Sequence, residues 1–146
     1  RTNRRATPRM GVCTEDYEIT RSEQIVTLRM LHDIDDPAVI ACIAQTLKTY
    51  LANRSARHGL MCLLIDLRDC KEFKVTHVMS TVGILIGEKD AVLAHVCGSA
   101  VLMVYNATID PLKKMFERIY QPLCPFSIFT DSAQASAFLL SAQCTP

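Results

Sequence analysis

The chain alternates between short apolar runs and longer stretches in which apolar residues recur every three or four positions. The run at residues 60–65 is apolar throughout and stops at Asp66, which is typical of a strand that helices cover on both faces. Residues 99–105 form another buried-strand run, and residues 126–129 form the last strand. The charged residues 68–72 follow the central run and predict a solvated polar loop.

Two strands precede this centre and lie close enough in sequence to form a hairpin. Residues 17–20 predict a short strand, and residues 25–30 alternate between apolar and polar positions as a half-exposed strand does. The link at residues 21–24 is short, so we expect antiparallel pairing with residues 17–20 at the edge of the sheet.

Four helices are predicted around these strands. Asp36 and Pro37 form a strong helix start, and an apolar stripe continues to about Arg54, with Gly59 as a left-handed cap. This stripe comprises Val39, Ile40, Ile43, Leu47, Tyr50 and Leu51. The second helix carries its apolar face from Val75 onward.

A second Asp-Pro pair, at residues 110–111, begins the third helix. Thr130 and Asp131 precede the fourth, which is rich in small residues and spans residues 132–142. The resulting order, ββαβαβαβα, predicts an α/β domain with a mostly parallel sheet and an antiparallel N-terminal edge hairpin. We expect one domain at residues 15–142.

The charge distribution separates a basic N-terminal tail, residues 1–14, from a mildly acidic domain. The formal net charge is +1, which gives no general case for nucleic acid binding. Four arginines precede the first acid, Glu15, and these tail residues are candidates for contacts with phosphate or anionic lipid: Arg1, Arg4, Arg5 and Arg9. An Arg-rich, acid-free opening is also typical of a plastid or mitochondrial targeting remnant, and a flexible tail explains it as well. A short C-terminal tail is expected at residues 143–146.

Seven cysteines without a CxxC pair predict thiols in a reducing, intracellular compartment. Thiol catalysis would require His77 to pair with Cys70 or Cys97, and no orienting acid follows from the sequence. His95 and Cys97 lack the second pair of ligands that a metal needs. No apolar run approaches the roughly 20 residues of a membrane span, although peripheral association with a membrane complex stays open.

Two further patterns have a structural and a chemical interpretation. Asp66 and Asp69 follow a strand end, where catalytic carboxylates can lie, but Arg68 between them favours a charged, solvated loop. Residues 83–89 are similar to a phosphate-binding loop with altered spacing, and their glycines at helical spacing favour close helix packing.

The element order and its landmarks resemble the STAS domain, the SpoIIAA-like family of anti-sigma-factor antagonists and sulfate-transporter tails. The resemblance covers about residues 16–140. It rests on the early hairpin, the Leu63–Leu67 strand end, the helix that begins after Phe73, and the strand, loop and Ala-rich helix of residues 126–139. It implies a SpoIIAA-like single domain that is not an enzyme, with no catalytic residue, cofactor or metal.

The resemblance also implies protein partners. The bacterial regulators are phosphorylated on a Ser in an Asp-Ser-Ser-Gly stretch at the start of the second helix. Thr76 aligns with that Ser, and Val75, His77 and Val78 replace the other three positions. Thr76 is therefore a candidate phosphoacceptor, and its simpler role is a helix N-cap.

The resemblance thus implies a non-catalytic protein-interaction module, which we expect to be an accessory or structural subunit of a larger complex. The predicted contact residues follow the central strand: Asp69, Lys71, Glu72, Lys74, Thr76 and His77. The alternatives are a carrier of a small apolar ligand, of the CRAL-TRIO lipid-transfer type, and a regulator switched by phosphorylation of Thr76.

Overall fold

Six strands form a single mixed sheet. The computed structural model describes residues 12–34, 36–70, 94–104, 110–111, 113–114, 118 and 125–143. The strands are β1 Val12–Cys13, β2 Tyr17–Ser22, β3 Ile25–Met30, β4 Met61–Asp66, β5 Val96–Leu102 and β6 Phe126–Phe129. The helices are α1 Pro37–His58 and α2 Ser132–Gln143. Residues 110–111, 113–114 and 118, between β5 and β6, are also helical.

The strands are arranged in chain order, β1-β2-β3-β4-β5-β6. The pairs β1/β2 and β2/β3 are antiparallel, and the pairs β3/β4, β4/β5 and β5/β6 are parallel. The predicted mostly parallel α/β sheet with an N-terminal hairpin is therefore confirmed. Strand β1 was not predicted: Val12 and Cys13 lie in the segment assigned to the tail, yet they pair with Ile19 and Glu18 of β2. Strand β2 is consequently not the edge of the sheet.

The hairpin between β2 and β3 is tighter than the predicted four-residue link. Ser22 pairs with Ile25, so only Glu23 and Gln24 form the turn. Glu23 has a φ of 56°, in the left-handed region that glycine tolerates better than other residues. The Arg21 guanidinium donates a hydrogen bond to the Glu23 carbonyl at 2.6 Å, which holds the turn.

Helix α1 begins as predicted and ends later. The Asp36 carboxylate accepts a hydrogen bond from the backbone N–H of Ala38 at 2.9 Å, which caps the first turn. The helix continues past Arg54 to His58 and ends at Gly59. Gly59 has a φ of 80° and a ψ of −164°, so it uses a glycine conformation without adopting the left-handed helical one that was predicted.

Strand β4 is buried along its whole length because helices cover both of its faces. Met61, Leu63 and Ile65 pack on the α1 side. Cys62 and Leu64 pack on the α2 side. The predicted two-sided burial is confirmed, as is the apolar stripe of α1, of which five residues are buried: Ile40, Ile43, Leu47, Tyr50 and Leu51.

Strand β5 begins and ends three residues earlier than predicted. It pairs with β4 up to Asp66 and Leu102, and Val104 beyond it is 60% exposed. Helix α2 is capped as predicted, since the Asp131 carboxylate accepts from the N–H of Ala133 at 3.2 Å. Among the described residues, no helix combines the length and apolarity needed to cross a membrane.

Candidate functional site

The charged residues at the carboxyl ends of β3 and β4 form the candidate site. The parallel register places Arg29 opposite Asp66, so the two strand ends lie side by side. After β4 the chain turns, with the N–H of Cys70 donating to the carbonyl of Leu67 at 3.1 Å. We define the carboxyl-end cluster as Arg29, Asp66, Arg68, Asp69 and Cys70. Sites in open α/β sheets tend to lie at this edge.

Asp66 is the buried centre of this cluster. Its side chain is only 7% exposed, and Arg68 binds both carboxylate oxygens, with Nε 3.0 Å from Oδ1 and Nη2 2.9 Å from Oδ2. The backbone N–H of Arg68 adds a third hydrogen bond to Oδ1 at 3.0 Å. Burial disfavours the ionised carboxylate, but these hydrogen bonds outweigh burial, so the pKa of Asp66 lies below its ordinary value. The prediction that Asp66 belongs to a charged, solvated loop was wrong, because this residue is buried at the end of β4.

Arg29 and Asp69 form a second, more exposed ion pair. The Nε and Nη2 of Arg29 both lie 2.8 Å from Oδ2 of Asp69. Glu18 on β2 lies 3.6 Å from the same guanidinium. The pair connects the end of β3 to the turn after β4, and it leaves the outer sides of Arg29 and Asp69 in contact with solvent.

Cys70 lies inside the turn and is held in its thiol form. Burial, followed by the charges of Asp33, Asp69 and Asp66, raises the pKa of the Cys70 thiol to about 11. Its Sγ donates a long hydrogen bond to the carbonyl of His32 at 3.8 Å. At neutral pH this thiol is protonated, so it lacks the thiolate that nucleophilic catalysis requires.

His32 lies next to the cluster and is positioned by two acceptors. Its Nδ1 lies 2.8 Å from the carbonyl of Asp33, and its Nε2 lies 2.7 Å from the carboxylate of Asp16. Both partners only accept hydrogen bonds, so these contacts favour the doubly protonated ring, in which both nitrogens donate. The Asp33 carbonyl and then the Asp16 carboxylate accordingly raise the pKa of His32.

Of the predicted contact residues, the structure places Asp69 in the carboxyl-end cluster. The others lie outside the described residues: Lys71, Glu72, Lys74, Thr76, His77, Arg1, Arg4, Arg5 and Arg9. The glycines of residues 83–89 also lie outside them. Sequence reasoning missed Arg29, because its role depends on the pairing of β3 with β4, and His32, because its contact with Asp16 depends on the pairing of β2 with β3. The one sequence signal was the position of Arg29, a charged residue on the polar side of the alternating strand at residues 25–30 and next to its end.

His95 has a structural partner at the opposite end of the sheet. Its Nδ1 lies 2.6 Å from Oγ of Ser55, which joins the last turns of α1 to the start of β5. The carbonyl of His95 accepts from the N–H of Met61 at 2.9 Å. Within the described part of the chain, no group of three His, Cys, Asp or Glu side chains is arranged to hold a metal ion.

The comparisons with known proteins establish a SpoIIAA-like fold. The structure is similar to the crystal structure of a DUF3478-family protein with a SpoIIAA-like fold from Shewanella loihica PV-4, with a TM-score of 0.53. The match covers 88% of this chain and 99% of the other at 11% sequence identity, so the likeness concerns the fold. No protein-family model matches the sequence, and no curated protein shows significant sequence similarity to it.

Proposed function

We propose that this protein is a non-catalytic interaction domain that serves as an accessory subunit of a larger protein complex. Its contact surface is the exposed side of the carboxyl-end cluster together with the residues that follow it, Lys71 to His77. The STAS domains that the sequence resembles are protein-interaction modules, which supports the proposal. The basic tail would add contacts with the same partner, and the cysteine pattern favours a reducing compartment.

The observation that carries the proposal is the pairing of charges at the strand ends. Asp66 is bound by Arg68 and Asp69 by Arg29, so both carboxylates are neutralised by permanently charged groups. Carboxylates held in this way are poor general bases, and the Cys70 thiol is protonated at neutral pH. The same ion pairs link the turn to the ends of β3 and β4 and leave the side chains of Arg29 and Arg68 47% and 48% exposed, which suits contact with a polar protein surface.

Native mass spectrometry of the full chain, isolated gently from its source at low salt, tests the proposal. We expect the chain in a stoichiometric complex, with cross-links from Lys71 or Lys74 to the partner. A bare monomer at the sequence mass would overturn the subunit role. A monomer carrying a bound apolar molecule would instead support the ligand carrier, and a phosphate mapped to Thr76 would support the switched regulator.

A charge-swapped variant locates the contact surface. Arg29→Asp combined with Asp69→Arg retains an ion pair between β3 and the turn but inverts its polarity toward the partner. We expect this variant to dissociate from the complex while it remains folded by circular dichroism. The matched control is Arg57→Glu, which reverses an exposed charge in the last turn of α1 and should leave the complex intact. Equal retention of both variants would exclude the carboxyl-end cluster as the contact surface.

A further inference from the structure

We infer that Cys62 and Cys97 are a redox pair that closes into a reversible disulfide between β4 and β5. Their Sγ atoms lie 3.4 Å apart, in direct contact. A disulfide accepts a Cα separation of about 4.4–6.8 Å, and Cys97 directly precedes Gly98, the register partner of Cys62 on a neighbouring strand about 4.7–4.9 Å away. Bond formation therefore requires side-chain rotation and a small approach, and the sheet does not have to open.

An irregularity in β5 brings the two thiols to the same face. Met61 pairs with Val96 and Cys62 pairs with Gly98, so Cys97 is an extra residue without a partner in the register. Cys97 packs with Cys62 in the apolar cluster beneath α2. Gly98 faces α2 as well, since a Cβ on it would lie 2.8 Å from the Cβ of Ala142. A residue at such a bulge is not fixed by ladder hydrogen bonds, so Cys97 can adjust its backbone as the bond forms.

The two cysteines differ in access, which sets the order of reaction. Cys62 is fully buried, and its Sγ donates to the carbonyl of Leu139 in α2 at 3.3 Å. Cys97 is partly exposed, and its Sγ donates to the carbonyl of Met61 at 3.5 Å. A small oxidant therefore meets Cys97 first, and Cys62 is placed to resolve the oxidised product.

The proposed oxidant is a hydroperoxide, with hydrogen peroxide as the simplest member. The deprotonated sulfur of Cys97 attacks one peroxide oxygen and the O–O bond breaks, which gives the sulfenic acid and, after uptake of the released proton, one water. The sulfur of Cys62 then attacks the sulfenic sulfur. The S–S bond forms, the S–O bond breaks, and the Cys62 proton leaves with the hydroxide as a second water. Two electrons pass from the two sulfurs to the peroxide.

The Cys62–Cys97 disulfide would change how α2 is bound to β4. In the reduced protein the Cys62 thiol donates to the Leu139 carbonyl, and a disulfide sulfur has no proton to donate. Oxidation thus removes a hydrogen bond between β4 and α2, and it links β4 to β5, the two strands on which α2 packs. The oxidation state of one buried pair is thereby coupled to the packing of the last helix.

The test uses the reduced, full-length protein treated with a small molar excess of hydrogen peroxide and then alkylated in denaturant. We expect an intact mass lower by about 2 Da when measured before alkylation, two alkylatable thiols fewer, and a cross-linked peptide joining Cys62 to Cys97. Dithiothreitol should reverse all three changes. The matched control is Cys42→Ser, which removes an exposed thiol and should leave the reaction unchanged.

Two variants separate the pair from other thiol chemistry. Cys97→Ser should abolish the cross-link, and because Cys97 is partly exposed this variant should fold, as circular dichroism will show. Cys62→Ser should let Cys97 proceed to the sulfinic acid, since its resolving thiol is gone. The inference is overturned if peroxide leaves Cys62 alkylatable in the wild-type protein, or if Cys97 is recovered as a sulfinic acid or bonded to another cysteine.

Discussion

Arg68 binds the carboxylate of Asp66 through a planar two-point contact, with Nε 3.0 Å from Oδ1 and Nη2 2.9 Å from Oδ2. Only Leu67 separates the two residues in the sequence, so the contact forms directly after the end of β4. The side chain of Asp66 is 7% exposed and that of Arg68 is 48% exposed, so a partly exposed guanidinium neutralises a buried carboxylate. The bidentate geometry also fixes the direction in which the loop begins.

Replacing Arg68 with Ala should destabilise the protein by roughly 1 to 3 kcal/mol, because the buried carboxylate of Asp66 loses two of its charge-assisted hydrogen bonds. The backbone N–H of Arg68 remains and limits the loss. Arg68→Lys should be intermediate, since Lys supplies charge without the planar fork. Urea denaturation measures the change in the free energy of unfolding.

The control for this series is Arg57→Ala, an exposed arginine in the last turn of α1. We expect it to change the free energy of unfolding by less than about 0.5 kcal/mol. If Arg68→Ala were as mild as Arg57→Ala, the Asp66–Arg68 contact would contribute nothing to stability.

The stability of the protein should fall in acid because of Asp66. Its pKa in the folded state lies below the ordinary value of 3.8, since the hydrogen bonds from Arg68 overcome the effect of burial. The unfolded chain therefore binds a proton at a higher pH than the folded protein does. The contribution of Asp66 is complete above pH 3.8 and is lost as the pH falls through the lowered folded pKa.

Urea denaturation at several values between about pH 2.5 and 6 measures this dependence. Asp66→Asn, which cannot titrate at this position, should show a shallower loss of stability in acid than the wild-type protein. Arg68→Ala should also flatten the curve, because without the guanidinium burial opposes the remaining hydrogen bond and the pKa of Asp66 moves back toward its ordinary value. Parallel curves for the three proteins would contradict the assignment.

The sequence predicted those parts of the fold that local chemistry determines. Asp36 caps α1 because its carboxylate reaches the N–H groups of the first turn, and this depends on neighbouring residues alone. The burial of β4 on both faces likewise follows from a continuous apolar run flanked by helices. Strand β1 escaped prediction because two residues have no detectable periodicity, and its formation depends on pairing with β2.

The candidate-site residues also divide into those predictable from their sequence neighbours and those that depend on strand pairing. Asp69 was predicted because it follows a strand end, which is a local feature. Its partner Arg29 lies 40 positions earlier, and only the parallel pairing of β3 with β4 brings the two together. The contact of Cys62 with Cys97 similarly requires β4 and β5 to be neighbours with a shifted register, and neither property is encoded in the spacing of the cysteines.

Glu23→Gly should stabilise the β2–β3 hairpin by about 0.5 to 1 kcal/mol. Glu23 holds a φ of 56° at the first position of the two-residue turn, where glycine avoids the contact between Cβ and the backbone. The hydrogen bond from Arg21 goes to the backbone carbonyl of Glu23 and survives the substitution. Thermal and urea unfolding measure the gain.

The matched control is Gln24→Gly, at the second turn position. Gln24 has a negative φ, so glycine relieves no strain there and adds backbone freedom to the unfolded chain. The substitution also removes the hydrogen bond from Gln24 Nε2 to the carbonyl of Leu60. We expect Gln24→Gly to destabilise the protein, and a stabilising effect equal to that of Glu23→Gly would exclude strain as the cause.

Gly98→Ala should destabilise the protein by about 1 to 3 kcal/mol, because the added methyl group would lie 2.8 Å from the Cβ of Ala142. Ala142 is buried in the last turn of α2, so the helix must shift to admit the new group. Unlike a surface substitution, Gly98→Ala thus tests how closely α2 approaches β5.

Ala142→Gly provides the complementary change, since it removes the methyl group that the new one would meet. Alone it should cost about 1 kcal/mol through the lower helix propensity of glycine. Combined with Gly98→Ala, it should recover part of the lost stability, so the double variant is more stable than the two single effects predict when added. Strict additivity would show that α2 does not rest on Gly98.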